Sequence, residues 1–211
     1  MQIAGIVGAD GRSMNIPNIL TVSRILLSPV FMVLIIIENF YSRVAATIVF
    51  IIAALTDLAD GYYARKLGHP TGLGRFMDPL ADKILVSTAF LSFVSLGYAR
   101  GWMVIIIVVR EFLITGLRSM AAYRGMVISP SILAKWKTVS QMLAIAIILV
   151  YANIEPLLLH SNPGMPVWVM PWTNWQCNLF DIILILPLIL TVWTGFDYLL
   201  KSGGLLKGML G

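Results

Sequence analysis

From residue 19 onward the chain runs in long apolar stretches separated by short breaks that hold its polar, glycine and proline residues. A helical crossing of a bilayer needs about 20 mainly apolar residues. Six such stretches can be placed: Ile19–Ile37, Val44–Ala64, Phe76–Leu96, Trp102–Ala122, Val139–Tyr151 with its flanks, and Leu179–Leu200. The breaks between them are short, so the pattern predicts one all-α, polytopic membrane domain over residues 14–200, a six-transmembrane-helix bundle.

The breaks have their own signals. Asn15–Asn18 reads as a turn, with Pro17 at or before a helix start, Asn18 as its cap, and an amphipathic inner-surface segment leading into the first span. Gly68–Gly74, GHPTGLG, cannot sustain a helix in hydrocarbon and is expected as a loop at the membrane surface or lining a cavity. Glu155–Asn178 holds four of the ten prolines and three of the six tryptophans, and is expected as an outer interfacial loop anchored by Trp168, Trp172 and Trp175. Pro79 is expected early in its helix, where a missing amide is tolerated. Residues 1–13 read as a leader before a more natural start at Met14, without the features of a signal peptide. Residues 201–211 read as a basic, glycine-rich cytoplasmic tail.

Composition agrees with the pattern. Of 211 residues, 59% are hydrophobic and only 12% charged, and the mean hydropathy is +0.88, values that exclude an ordinary soluble domain. If the N-terminus is cytoplasmic, Arg12, Arg24, Arg65, Lys66, Arg75, Arg124, Lys135, Lys137, Lys201 and Lys207 fall at or near the inner side, and only Arg43 and Arg100 lie clearly outside. Both termini are then cytoplasmic. The net charge of +5 reads as this inside bias plus attraction to anionic lipid and phosphate. Nucleic-acid binding is disfavoured because the basic residues are dispersed between spans. The single Cys177 can form no internal disulfide, and His69 and His160 are too far apart for a Cys/His metal cluster.

Against this background Asp57, Asp60, Asp78 and Asp82 stand out, inside or beside apolar segments. A carboxylate near hydrocarbon costs roughly 3 kcal/mol even on lenient insertion scales, so four together call for water, cations or a polar cavity. On a helix, Asp57, Asp60, Gly61, Ala64 and Arg65 share one face, and Asp78 and Asp82 lie one turn apart on the next. Carboxylate ligation without Cys or His favours hard divalent ions, Mg²⁺ first and Mn²⁺ next. Four aspartates around two ions suit phosphoryl chemistry. Small residues taken alone point to close helix packing, but beside four aspartates Gly61 and Ala64 read as letting a flat or bulky group such as a nucleotide approach the backbone. Arg65 is placed for a phosphate or base edge.

Asp57, Asp60, Gly61, Ala64 and Arg65, followed by Gly74, Asp78 and Asp82, resemble the complete DxxDGxxAR and GxxxDxxxD signature of the CDP-alcohol phosphatidyltransferase family. The resemblance implies a six-helix membrane bundle, usually a homodimer, that moves a phosphatidyl or related phospho-group from a CDP-linked donor to an alcohol and releases CMP. It implies two metal ions per site: Asp57 and Asp78 bridging both, Asp60 on one and Asp82 on the other. It also makes Asp82 the general base, and Gly61, Arg65 and Thr71 the holders of the CDP moiety. The polar cavity is then expected to open to the cytoplasmic side.

A second polar set comprises Arg110, Glu111, Arg118, Lys135 and Lys137. Arg110 and Arg118 are eight apart and Glu111 and Arg118 seven apart, so one helix face can present them inward. Lys135 and Lys137 also fit snorkelling anchors, and Arg110 with Glu111 a structural ion pair. Arg118 lies near the expected depth of the aspartates with no carboxylate in its own turn, and suits an acceptor phosphate. NIPNILTVSR, REFLITGLR, AKWKTVSQM and TVWTGFDY resemble, in order, the bacterial phosphatidylglycerophosphate synthase branch of the family. That implies CDP-diacylglycerol as donor, sn-glycerol 3-phosphate as acceptor, and Arg118, Lys135 and Arg110 as its clamp. The alternatives are another acceptor (inositol phosphate or phosphatidylglycerol), a cation transporter, or a membrane scaffold. A transporter is expected to show two related halves, whereas all four aspartates here come from one helix pair.

Overall fold

The computed structural model describes residues 16–67, 72–123, 132–161 and 179–210, with side chains for 21–56, 81, 83–122, 132–157, 179–198 and 200. Six helices and no strand occur among them: α1 Ile16–Ile36, α2 Phe40–Leu67, α3 Gly72–Ser95, α4 Gly101–Tyr123, α5 Ile132–Ser161 and α6 Leu179–Leu210. Helix α1 packs on α2 and α3, α4 on α3 and α6, and α5 on α6 with further contacts to α2 and α3. Phe31, Phe50, Phe90, Phe93, Ile145 and Leu184 are among the buried residues at the centre.

Polarity is distributed as lipid requires. Large apolar side chains such as Leu26, Val33, Leu55, Ile105, Val150 and Ile189 face outward, while Thr21, Arg24, Ser28, Glu111, Lys137 and Gln141 are buried. By length and composition two described helices can cross a bilayer, Ile132–Leu157 and Leu179–Tyr198, with mean hydropathy 1.6 and 2.2. Arg24, expected near the inner surface, is buried in the bundle.

Several element ends differ from the sequence reading. Helix α1 begins at Ile16, so Pro17 sits in its first turn, where an amide has no intrahelical partner anyway, and Asn18 is helical instead of capping. Helix α3 begins at Gly72, so Gly72 and Gly74 belong to its first turns and Pro79 is its eighth residue, past the tolerant first turn. Helix α6 continues through Leu210, across the segment expected as a tail. Residues 1–13, His69, Thr71, Trp168, Trp172, Trp175 and Cys177 lie outside the described residues.

The largest correction concerns α5, which runs on through Glu155 and Pro156 to Ser161 where a loop was expected. Pro156 has no N–H for the carbonyl of Ala152. That carbonyl instead accepts a hydrogen bond from Arg43 Nη1 at 3.0 Å. The same Nη1 donates to Glu155 Oε2 at 2.9 Å. A side chain from α2 thus supplies the donor that proline removes, and the helix continues.

Tyr98 completes this cluster. Helix α3 ends in a Schellman turn, with Tyr98 N donating to Phe93 O at 2.9 Å and Gly97 N to Val94 O at 3.1 Å. Gly97 carries the positive φ of 77° that this turn demands. The turn sends Tyr98 back into the bundle, where its hydroxyl donates to Glu155 and its ring packs on Tyr151 and Phe180. Burial first, and the Glu155 carboxylate next, push the Tyr98 phenol well above the ordinary tyrosine range. Arg100 pairs with Asp181 at 2.8 Å beside it. The two cations expected outside, Arg43 and Arg100, therefore lie at one end of the bundle and are both neutralised there.

Candidate active site

The opposite end of the bundle contains the C-terminal half of α2 and the N-terminal half of α3, which carry the aspartates. Asp57 and Asp60 are three residues apart on α2, and Asp78 and Asp82 four apart on α3, so each pair lies about one helical turn apart along its helix. Gly61 and Arg65 follow on the same strip of α2. The donor set fits hard divalent cations: four carboxylates from two consecutive helices, with no thiol or imidazole at these positions.

Beside this helix pair, α3, α4 and α5 enclose a cavity of about 420 Å³. Lys83, the residue after Asp82, lines it, so the cavity borders the α3 turn that carries Asp82. Arg110, Glu111, Thr115 and Arg118 line it from α4, and Lys135, Lys137 and Thr138 from α5. The three residues expected to clamp an acceptor phosphate, Arg110, Arg118 and Lys135, are therefore brought to one cavity. Lys135 is exposed at its rim.

Burial decides which of the other readings hold. Lys137 does not snorkel: its side chain is 6% exposed and its ammonium donates to Glu111. Glu111 also receives Arg110 Nη1 at 3.3 Å and Gln141 Nε2 at 3.3 Å, with Lys83 Nζ at 3.9 Å. The expected Arg110–Glu111 ion pair is thus present, within a larger network that ties α4 to α5 and α3. Among the described residues of its lining, five cationic side chains accompany one carboxylate.

Both arginines are braced by α6. Arg110 Nη2 donates to Thr194 Oγ1 at 2.7 Å, and the Arg118 guanidinium lies over the Tyr198 ring, 5.8 Å from its centroid. The Nε atoms of Arg110 and Arg118 are buried without a hydrogen-bond partner. Neither the residues of TVWTGFDY nor Lys83 are among the site residues expected from the sequence. The available signals were a hydroxyl beside a glycine in an apolar span, and a lysine next to Asp82.

The model of the CDP-alcohol phosphatidyltransferase family matches residues 14–193. The chain belongs to this family. The match spans the aspartate-bearing helices, the cavity and the start of the TVWTGFDY segment. Members named CDP-diacylglycerol--glycerol-3-phosphate 3-phosphatidyltransferase are similar over most of their length. The Bacillus subtilis (strain 168) protein is 38% identical over 205 residues, covering 92% of this chain and 97% of that protein. The Pseudomonas fluorescens protein is 35% identical over 192 residues, covering 88% and 89%. The Rickettsia typhi protein is 33% identical over 184 residues, covering 87% and 94%. Members of this phosphatidyltransferase family are membrane enzymes that generally depend on a divalent metal, and the outward apolar faces of this chain agree with a membrane protein.

Proposed function

We propose that this enzyme transfers the phosphatidyl group of CDP-diacylglycerol to the hydroxyl of sn-glycerol 3-phosphate, giving phosphatidylglycerophosphate and CMP. The observation that carries the acceptor's identity is the cavity in which Arg110, Arg118 and Lys135 converge beside the Asp82 turn. Its cluster of cationic side chains suits an alcohol that bears a phosphate, and the names of the similar proteins state that acceptor. Inositol phosphate would satisfy the same charges and is the second reading; phosphatidylglycerol, with a single diester charge, matches them less well.

In this reading Asp57, Asp60, Asp78 and Asp82 hold two divalent cations, Mg²⁺ or Mn²⁺, which supply charge neutralisation at the phosphate oxygens and the departing CMP. Gly61, Arg65 and Thr71 hold the CDP moiety. Arg110, Arg118 and Lys135 orient the acceptor so that its hydroxyl meets the donor phosphorus. Asp82 takes the hydroxyl proton as the new P–O bond forms and the bond to CMP breaks. The bundle spans the bilayer six times, as a homodimer in the bacterial inner membrane with both termini cytoplasmic. The active site then faces the leaflet and compartment that supply both substrates.

The test is CMP release from labelled CDP-diacylglycerol with Mg²⁺ or Mn²⁺ and a panel of acceptors. Glycerol 3-phosphate is expected to support turnover; activity only with inositol phosphate or phosphatidylglycerol would overturn the acceptor. Asp82→Asn is expected to fold and to abolish transfer, and appreciable CMP release by that purified variant would remove Asp82 from its role as base.

A further inference from the structure

The two arginines that line the cavity from α4 are held in place from α6. Thr194 Oγ1 approaches Leu190 O at 2.6 Å and Thr191 O at 3.2 Å, so its single proton is committed to the backbone of its own helix. Its lone pairs are left for Arg110 Nη2, at 2.7 Å. The next residue, Gly195, lets the arginine stem lie against the helix: a Cβ there would stand 3.3 Å from Arg110 Nε and 3.4 Å from its Cγ. One turn further, Tyr198 underlies Arg118. Gln141, which donates toward Glu111, also reaches Thr191 Oγ1 at 3.4 Å.

None of these α6 residues lines the cavity, yet each touches a group that does. An arginine has many rotamers, and a phosphate clamp works only if its guanidinium is fixed before the ligand arrives. We propose that Thr194, Gly195 and Tyr198 are positioning residues that set recognition of the acceptor's phosphate by fixing Arg110 and Arg118. This rests on the reading of the cavity as the acceptor site.

The experiment measures kcat and the KM of each substrate for the purified, lipid-reconstituted enzyme. Thr194→Val keeps shape and loses the acceptor lone pairs; it is expected to raise the KM for glycerol 3-phosphate about tenfold and leave that for CDP-diacylglycerol unchanged. Thr194→Ser restores the hydroxyl and is expected to recover most of the loss. Tyr198→Leu is expected to raise the same KM about threefold, and Tyr198→Phe, which keeps the ring, to behave as wild type. Gly195→Ala, which crowds Arg110 without removing any polar group, is expected to act in the same direction. If Thr194→Val raises both KM values together, or if Ser and Val are alike, the positioning role is overturned. Arg110→Ala and Arg118→Ala separate the two levels. If they raise the glycerol 3-phosphate KM while the α6 variants do not, only the positioning role falls. If they leave it unchanged, the acceptor reading falls with it.

Discussion

Glu111 accepts hydrogen bonds from Lys137, Arg110 and Gln141 and is 3% exposed. A buried carboxylate in this position is indispensable to its partners, because Lys137 is as deeply buried and would otherwise be an uncompensated charge. Glu111→Ala is therefore expected to destabilise the fold by about 3–5 kcal/mol. Glu111→Gln should cost less, since the amide oxygen still accepts a hydrogen bond. Thermal or denaturant unfolding of the two variants in the same detergent checks this order, and equal midpoints would show that water takes over the pairing. This network was only half legible in the sequence. The Arg110–Glu111 neighbours are adjacent along the chain, whereas the Glu111–Lys137 pair spans 26 residues and two helices, a separation no local periodicity reports.

Helix positions and the aspartate spacing were readable because both are local: apolar runs of helical length, and carboxylates three and four residues apart. Helix ends were not. Proline marks Glu155–Asn178 as a loop on local grounds, but Arg43 from α2 caps the carbonyl that Pro156 leaves open and α5 continues. Glycine at Gly72 and Gly74 similarly reads as a break, although the helix begins there. The Schellman turn after α3 shows the opposite case, a glycine that does end a helix. Its positive φ strains any side chain, so Gly97→Ala is expected to cost about 1–2 kcal/mol. Measured as a shift in unfolding midpoint, this loss should occur with the KM values unchanged, because Gly97 lies at the end of the bundle away from the cavity.

The two ends of the bundle follow different electrostatic rules. At one, Arg43 and Arg100 each meet a carboxylate, Glu155 and Asp181, and the charges balance. At the other, beside the helix pair that carries the four aspartates, the described residues that line the cavity include Lys83, Arg110, Arg118, Lys135 and Lys137, with Glu111 as the carboxylate among them. A cluster of cationic side chains at a cavity with apolar walls focuses its field outward and draws small dianions in before contact. Binding of glycerol 3-phosphate should therefore be partly a matter of capture rate. The Debye length falls from about 10 Å at 0.1 M salt to about 3 Å at 1 M. kcat/KM for the acceptor is expected to fall several-fold across that range, about threefold or more, while kcat at saturation changes little. Stopped-flow or initial-rate measurements at constant detergent and metal test this, and a salt-independent kcat/KM would argue against it. The same field makes no distinction among dianions. Inorganic phosphate and other small phosphorylated metabolites should then occupy the mouth competitively, so that lipid output responds to the ratio of glycerol 3-phosphate to the surrounding phosphate pool.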